Sequence, residues 1–244
     1  MTPKRVDILD VPVDCITMDQ AVDWAASRMK EARPASVIAV NPEKIMKAQS
    51  DVTLQQCLRS AGLLIPDGIG VVMAVRLLGV GYAERVPGAE LMPRLCAFAA
   101  QEGHSVFLFG GSPDVNQAAA ATLRQRFPSL NIAGTHHGYV DPADMPTVLR
   151  SINEAAPDFL FLALGSPKQE LWMASHLPHL RVKVCQGVGG TFDVLSGRVK
   201  RAPKIFRSAH LEWFFRLLSQ PSRILRQTAL PLFAFHILRK RVRG

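Results

Sequence analysis

The most constraining feature of the sequence is a repeated pattern in which a short apolar run ends at a small polar or glycine-containing turn and a helical stretch follows. Five such units are Ser36–Val40 before Asn41-Pro42, Leu63–Ile65 before Pro66-Asp67-Gly68, Val106–Phe109 before Gly110-Gly111-Ser112-Pro113, Phe159–Leu164 before Gly165-Ser166-Pro167, and Val182–Cys185 before Gly187-Val188-Gly189-Gly190. Short apolar runs that alternate with helices are typical of parallel strands joined by helical crossovers. The pattern predicts an α/β fold with a doubly wound, mainly parallel Rossmann-like sheet and helices on both faces.

Residues at the starts of the expected helices support this fold. Three of these helices begin with a natural N-cap followed by a proline, which suits a first helical position where no N–H is needed. These N-caps are Asn41, Ser112 and Ser166. Near the N-terminus, Val6–Val13 predicts an opening strand. Thr17 and Gln20 have the spacing of a capping box, which predicts a helix that runs to Glu31.

The positive charge of the chain is concentrated near its C-terminus. The 244 residues carry a formal net charge of +9. Residues 198–244 contain twelve Lys or Arg and one acid, a net charge of +11, whereas the first 197 residues hold 17 basic and 19 acidic residues and carry −2. We therefore expect an α/β domain over residues 1–197 and a basic amphipathic appendage over residues 198–244.

The appendage combines aromatic and basic side chains in a way that suits an anionic membrane surface. Leu232, Phe233 and Phe235 precede a cluster of Lys and Arg within residues 239–243. Basic residues are attracted to anionic lipid, and aromatic and aliphatic side chains insert at the membrane interface. A solvated basic tail and an oligomer contact are the alternatives.

The sequence lacks the pattern of a transmembrane helix or a signal peptide. The apolar stretch Ala229–Leu238 is about half as long as the roughly 20 residues that a membrane-spanning helix needs, and it contains Pro231 and His236. Met1–Asp10 has two basic residues but no apolar core. We therefore expect a cytoplasmic protein that does not span the membrane.

Metal-binding patterns are also missing from the sequence. The four cysteines are scattered and form no CxxC, which favours small buried thiols over a zinc site or disulfides. They are Cys15, Cys57, Cys96 and Cys185. His136-His137 has no third ligand at a supporting spacing and is interpreted as a loop pair. There is no Asp-x-Asp, the pair with which many nucleotide-sugar enzymes hold a metal on the diphosphate. We expect no metal.

Two glycine-rich turns are candidates for nucleotide binding. The turn that contains Gly110 and Gly111 resembles a phosphate-binding turn, but it matches neither GxGxxG nor a P-loop, and an ordinary tight βα turn explains it as well. In the second turn, Gly187, Gly189 and Gly190 would let the backbone approach a ligand closely. Asp193 would then accept hydrogen bonds from a base or ribose. The alternative is a close strand–helix turn with a capping Asp.

Asp67 and Gln169 are candidates for chemistry, and each has a structural alternative. Asp67 follows an apolar strand and precedes the predicted helix Ile69–Leu78, so it is either a catalytic carboxylate at the end of the strand or a helix cap. Gln169 lies three residues after Ser166, which is the spacing of a capping box.

A set of motifs in a specific order covers most of the chain. They are Asn41-Pro42-Glu43-Lys44, Pro66-Asp67-Gly68-Ile69-Gly70, Glu84-Arg85-Val86-Pro87-Gly88, Phe109-Gly110-Gly111, Gly165-Ser166-Pro167-Lys168-Gln169-Glu170, Gly187-Val188-Gly189-Gly190-Thr191-Phe192-Asp193, and a final Arg-Ala-Pro followed by Glu-Trp. Together they resemble the WecG/TagA/CpsF glycosyltransferases, glycosyltransferase family 26, from about Asp7 to Arg226.

The resemblance implies an inverting, metal-independent hexosyltransferase without a cofactor. Its donor would be a UDP-sugar and its acceptor a saccharide on a polyprenyl diphosphate, in the synthesis of a cell-surface polysaccharide or exopolysaccharide. The sugar would be N-acetylmannosamine, N-acetylmannosaminuronic acid or glucose. Residues 1–197 would be the nucleotide-sugar-binding catalytic domain, and the enzyme would be peripheral on the cytoplasmic face of the inner membrane.

The resemblance also implies roles for single residues. Asp67 matches the proposed catalytic base of the family, and Asn41, Arg85 and Gln169 match active-site positions. Residues that hold the uracil are matched by Tyr139 and Asp193. Arginines thought to close over the diphosphate when the tail meets the membrane are matched by Arg216, Arg223 and Arg226. Some members have a threonine two residues before the asparagine, where this chain has Ala39.

Two other classes of protein fit parts of the sequence. A nucleotide-cofactor oxidoreductase would share the Rossmann-like sheet, but the GxGxxG motif and its downstream acidic residue are missing. A nucleic-acid-binding protein would use the basic appendage, but no RRM, KH or zinc-finger pattern occurs. The sequence leaves open the sugar, the acceptor glycan and its linkage, the pathway, and whether the chain forms a homo-oligomer.

Overall fold

The apolar runs of the sequence form strands, and most of them join one parallel sheet. The computed structural model describes residues 2–199, 203, 206 and 228–243. The strands are β1 (Lys4–Ile8), β2 (Val11–Cys15), β3 (Ala35–Val40), β4 (Leu63–Pro66), β5 (Ser105–Gly110), β6 (Asn131–His136), β7 (Phe159–Ala163) and β8 (Val184–Gly187). Strands β3 to β8 form a six-stranded sheet in the order β4-β3-β8-β7-β5-β6, with every neighbouring pair parallel.

Helices cover both faces of this sheet. They are α1 (Met18–Arg28), α2 (Pro42–Ala48), α3 (Val52–Arg59), α4 (Ile69–Leu77), α5 (Gly88–Glu102), α6 (Pro113–Arg126), α7 (Met145–Ala155), α8 (Lys168–His176), α9 (Thr191–Leu195) and a C-terminal helix (Ala229–Arg243). Alternate residues of one strand enter different apolar clusters: Val106 and Leu108 pack with α1, α5, α6 and α9, whereas Phe107 and Phe109 pack with α2, α3, α7 and α8. The predicted doubly wound fold is confirmed.

The local predictions are confirmed at some helix starts and wrong at one. Asn41 accepts a hydrogen bond from the backbone N–H of Lys44 and caps α2, and Ser112 caps α6 in the same way. Thr17 and Gln20 form the predicted capping box of α1. Ser166 is not an N-cap, because α8 begins one residue later, after Pro167, and has no side-chain cap.

Two strands differ from the sequence prediction. The single opening strand expected over Val6–Val13 is a hairpin of β1 and β2, whose turn residues Leu9 and Asp10 have φ values of 51° and 61°. Strand β6 was not expected, because its residues form no apolar run and are exposed or half-buried along its length. Pairing with β5 makes it a strand at the edge of the sheet.

The hairpin covers the opposite edge of the sheet through Asp14. The side chain of Asp14 is 1% exposed, and its Oδ2 accepts a hydrogen bond of 2.7 Å from the backbone N–H of Leu64 on edge strand β4. Arg5 donates two hydrogen bonds of 2.8 Å to the same carboxylate and one of 3.1 Å to the carbonyl of Ala61. The hydrogen bonds that Arg5 donates to Asp14 raise the pKa of the Arg5 guanidinium. Asp14 thus pairs an edge N–H that would otherwise be open to another chain.

The C-terminal helix packs on the α/β body, against α2 and α4. Phe233 and Ile237 are each 4% exposed and belong to the apolar core. No helix in the described residues is both long and apolar enough to cross a membrane. The predicted division at residue 198 stays a prediction, and the arginines Arg216, Arg223 and Arg226 lie outside the described residues.

We expect Asp14→Ala to lower the free energy of unfolding by about 2 kcal/mol, because it removes charge-assisted hydrogen bonds from a buried edge. Urea denaturation measures this change. The matched control is Asp19→Ala, since Asp19 pairs with Arg94 at 2.6 Å but its side chain is 77% exposed. Such a surface pair contributes at most about 1 kcal/mol. Equal losses in the two variants would contradict the role given to Asp14.

Candidate active site

The predicted site residues lie in turns at one edge of the sheet. Because all six strands of the sheet are parallel, their carboxyl ends share this edge, where ligands of open α/β sheets bind. The turns after β3 and β4 carry Asn41 and Asp67, and the turn after β7 carries Gln169 on the first turn of α8. The glycine-rich turns follow β5 and β8. Residues far apart in sequence are therefore neighbours along one rim.

Asn41, Asp67 and Arg85 form the first group on this rim. The backbone N–H of Asp67 donates to the carbonyl of Val40 at 2.9 Å, which holds the turn after β4 against the end of β3. Arg85 Nε donates to the backbone carbonyl of Asp67, also at 2.9 Å. Helix α4 is capped by Gly68 without a side-chain hydrogen bond, so Asp67 is not the N-cap of that helix. Asp67 is half-buried, as are Asn41 and Arg85.

Gln169 joins the turn after β7 to the turn after β8. Its side chain is buried, and its Oε1 accepts a hydrogen bond of 3.1 Å from the backbone N–H of Gly189. A Cβ on Gly187 would lie 2.7 Å from Gln169 Nε2, so the glycine leaves room for the amide. The capping-box alternative for Gln169 is wrong, because its side chain faces Gly187 and Gly189 and Ser166 caps nothing.

A buried ion pair that the sequence did not predict lies next to Gln169. Lys44 Nζ lies 2.6 Å from Glu170 Oε1, and the two side chains are 7% and 0% exposed. The same ammonium donates to the carbonyl of Ala39 at 2.7 Å, and Gln169 Nε2 donates to Glu170 Oε1 at 3.1 Å. Both residues lie in quoted motifs, but their pairing depends on helices α2 and α8 meeting in space. Within the described residues, Glu170 Oε2 is buried without a hydrogen-bond partner.

In the turn after β5, the backbone approaches the end of β7 closely. Gly110 has a φ of 126°, and a Cβ there would lie 2.4 Å from the carbonyl oxygen of Ala163 on β7. The N–H of Gly111 donates to that same carbonyl at 3.0 Å, and the carbonyl of Gly111 accepts from Gly138 at 2.8 Å. The N–H groups of Gly111 and Gly189 are thus both used inside the protein. These two N–H groups are therefore not available to a ligand.

Asn116 is a second residue that the sequence analysis did not identify. It is buried on α6, and its Nδ2 donates to the carbonyls of Leu108, Gly110 and His136 at distances of 3.3, 2.9 and 3.0 Å. It therefore holds the ends of β5 and β6 together. The available signal was one amide among the apolar residues on the inner face of α6.

The two predicted base-binding residues follow different strands, Tyr139 after the edge strand β6 and Asp193 after β8 in the middle of the sheet. Tyr139 follows Gly138 beyond β6, and its side chain is 76% exposed. Asp193 is half-buried in the first turn of α9. The N-cap of this helix is Gly190, so the alternative prediction of a capping Asp193 is wrong.

His136 and His137 are adjacent, and His136 Nδ1 lies 2.8 Å from the carbonyl of His137. In the described part of the chain, no group of three His, Cys, Asp or Glu side chains could hold a metal ion.

The four cysteines take no part in this arrangement. All are free thiols, three of them are buried and Cys15 is half-buried. Burial raises the pKa of the Cys96 thiol to about 12 and also raises the pKa of Cys185. Such thiols stay protonated near neutral pH and are poor nucleophiles.

Comparison with known proteins supports the family resemblance over almost the whole chain. Residues 6–244 match the model of the glycosyl transferase WecG/TagA/CpsF family. A protein of Staphylococcus aureus strain MRSA252, named N-acetylglucosaminyldiphosphoundecaprenol N-acetyl-beta-D-mannosaminyltransferase, is 37% identical over 96% of this chain and 92% of its own length. Proteins of the same name from strains MW2 and NCTC 8325 are 36% identical over the same shares.

We expect the Lys44–Glu170 pair to be strongly coupled in stability. Lys44→Met or Glu170→Met alone leaves a buried charge unpaired and should cost about 3 kcal/mol of unfolding free energy. The double variant Lys44→Met/Glu170→Met removes both charges and should cost much less than the sum of the two. Urea denaturation of the four proteins measures the coupling. Additive losses would show that the two side chains contribute independently.

Proposed function

The chain belongs to the WecG/TagA/CpsF glycosyltransferase family, and from that premise we propose that it transfers N-acetylmannosamine from a UDP-sugar to an N-acetylglucosaminyl diphosphate carried by a polyprenol. It is a glycosyltransferase. Its reaction would belong to the synthesis of a cell-surface polymer. Family membership thus confirms sugar transfer as the activity, in place of the oxidoreductase alternative. The choice of sugar and acceptor follows the names of relatives that are 36–37% identical over nearly the full length.

The observation that carries this proposal is the position of the family motifs along one rim of the sheet. Asn41, Asp67 and Gln169 come from three different strand ends, yet the bond from Asp67 to Val40 and the Lys44–Glu170 pair connect their turns. Gly110 and Tyr139 extend the same rim across β5 and β6, as a long nucleotide-sugar would require. Some members of the family have a threonine at the position of Ala39. Ala39 has no hydroxyl, and its backbone carbonyl accepts a hydrogen bond from Lys44.

Direct displacement at the anomeric carbon accounts for the reaction. An acceptor hydroxyl oxygen forms a bond to the anomeric carbon, its proton passes to the Asp67 carboxylate, and the bond to the diphosphate oxygen breaks with its electron pair leaving on UDP. The attack from the opposite side inverts the anomeric configuration. Asp67 is half-buried at the end of β4, with its backbone fixed by Val40 and Arg85. A base in a fixed position is an effective general base.

Side chains rather than glycine N–H groups stabilise the leaving group in this proposal. Arg85 lies beside Asp67, and Arg198 Nη1 lies 3.5 Å from the hydroxyl of Ser112 at the start of α6. The appendage arginines Arg216, Arg223 and Arg226 would add charge over the diphosphate. No metal or cofactor takes part in this scheme, because guanidinium groups bind diphosphate directly.

Contact with the membrane is the second part of the proposal. On the C-terminal helix, Phe235, Leu238 and Val242 are 60%, 56% and 86% exposed on the side away from buried Phe233. Exposed Arg239, Lys240 and Arg241 lie among them. An apolar helix face with basic neighbours lies flat in an anionic interface. The enzyme would then be peripheral on the cytoplasmic face of the inner membrane, where polyprenyl-linked acceptors are embedded.

We expect Asp67→Asn to lower the kcat of transfer by about 10²–10⁴-fold, because the amide cannot accept the proton. UDP binding and thermal stability should stay near those of the wild type. Radiolabelled sugar transfer to the lipid-linked acceptor measures the loss, and a panel of UDP-sugars identifies the donor. Asp23→Asn on the exposed face of α1 is the control. Near-normal transfer by Asp67→Asn would exclude Asp67 as the base.

We expect Leu238→Glu to reduce binding to anionic vesicles without unfolding the protein, because the side chain is 56% exposed. Sedimentation with phosphatidylglycerol-rich vesicles measures the bound fraction. The matched control is Val52→Glu, which places the same charge at a residue of α3 that is 67% exposed. If both variants bind vesicles like the wild type, the C-terminal helix is not the membrane contact.

A further inference from the structure

A cavity beside Asn41 is not used by the donor scheme described above. Its volume is about 430 Å³, and it lies between the start of α2 and the start of the C-terminal helix. Asn41 and Lys47 line one side, Ser166 lines a second, and Ala229 and Leu232 of the C-terminal helix line a third. A volume of this order is typical of sites for small ligands, which lie roughly between 300 and 1,000 Å³.

The polar groups of the cavity suit a sugar linked to a phosphate. Asn41 uses its amide oxygen to cap α2, and within the described residues its NH2 group makes no hydrogen bond, so it is a donor for a ligand. Ser166 is exposed, and Glu43 on the same lining accepts hydrogen bonds from hydroxyl groups. Lys47 is exposed and supplies a positive charge, whereas the charge of Lys44 is paired with Glu170.

The wall formed by the C-terminal helix continues into an apolar surface. Leu232 lines the cavity and is 48% exposed. From it, Phe235, Leu238 and Val242 continue the exposed apolar side of the same helix. A ligand that fits both parts has a polar head and a long hydrocarbon tail.

The cavity also lies away from two of the residues assigned to the nucleotide. Gly110 and Tyr139 follow β5 and β6 at one end of the sheet, whereas the cavity adjoins Asn41 after β3, three strands from β5 and four from β6 in the sheet order. The other glycine turn follows β8, the strand next to β3. Asn41 lines the cavity and also lies in the turn that is bonded to Asp67. A donor and an acceptor that approach from opposite sides would react there.

We propose that this cavity binds the sugar–diphosphate head of the polyprenyl-linked acceptor. This inference rests on the function proposed above, and it adds Lys47, Ala229 and Leu232, which lie outside the family motifs, to the residues of the site. The saccharide contacts Asn41, Glu43 and Ser166, with its attacked hydroxyl toward Asp67. The diphosphate lies near Lys47, and the hydrocarbon chain leaves past Leu232 toward the lipid.

Ala229→Trp tests the cavity, because an indole at this wall would occupy part of its volume. The assay uses an N-acetylglucosaminyl diphosphate with a short alkyl chain, which is soluble and so removes any effect of membrane docking. We expect the KM for this acceptor to rise by roughly tenfold or more. The KM for the UDP-sugar and the affinity for UDP should stay within about twofold of the wild type.

The matched control is Ala234→Trp, which places the same side chain at an exposed residue of the same helix outside the cavity. It should leave both KM values within about twofold. A wild-type enzyme that transfers no sugar to any polyprenyl-type acceptor would overturn the proposed function itself. A wild-type enzyme that is active, together with an unchanged acceptor KM in folded Ala229→Trp, would overturn only the cavity assignment.

Lys47→Met provides a second test that does not depend on packing, since Lys47 is exposed. We expect a rise of roughly tenfold in the KM for the diphosphate acceptor and a smaller rise for an analogue with a single phosphate. Lys30→Met, at an exposed lysine after α1, is the control. Equal KM values for wild type and Lys47→Met with both acceptors would contradict the placement of the diphosphate.

Discussion

The buried ion pair between Lys44 and Glu170 is the interaction on which the rest of the rim depends. The two residues are 126 positions apart in sequence, and both are almost fully removed from water. Burying two charges is unfavourable unless each finds a partner, so helices α2 and α8 have to meet in one register. That register places Gln169 at the start of α8 beside Gly189 of the turn after β8, and it places Asn41 at the start of the helix that α8 meets.

The glycine turns then act mainly through the space they leave. Gly187 makes room for the amide of Gln169, and Gly110 lets the ends of β5 and β7 approach closely. The N–H groups of Gly111 and Gly189 are used inside the protein, in contrast to phosphate-binding loops that direct such groups at the ligand. In the reaction scheme that we propose, basic side chains would stabilise the diphosphate instead, and some of them would come from the C-terminal region.

The C-terminal helix links the catalytic rim to the surface that we assign to the membrane. Its inner side places Phe233 and Ile237 in the core against α2 and α4. Its first turn lines the cavity next to Asn41, and its outer side is apolar with basic neighbours. One element therefore has contacts with the core, with the proposed acceptor site and with the proposed lipid surface.

The sequence by itself determined the strand–turn–helix order, the N-caps Asn41 and Ser112 and the parallel sheet, because these depend on interactions within a few residues or on an apolar run. Tertiary structure alone decided the rest. Strand β6 lacks an apolar run and exists because β5 pairs with it. Gln169 has the local spacing of a capping box, yet it turns to Gly189, since Gly187 and Glu170 provide space and a partner there. These contacts join residues that are distant in sequence. They form only in the folded chain, so no local sequence pattern predicts them.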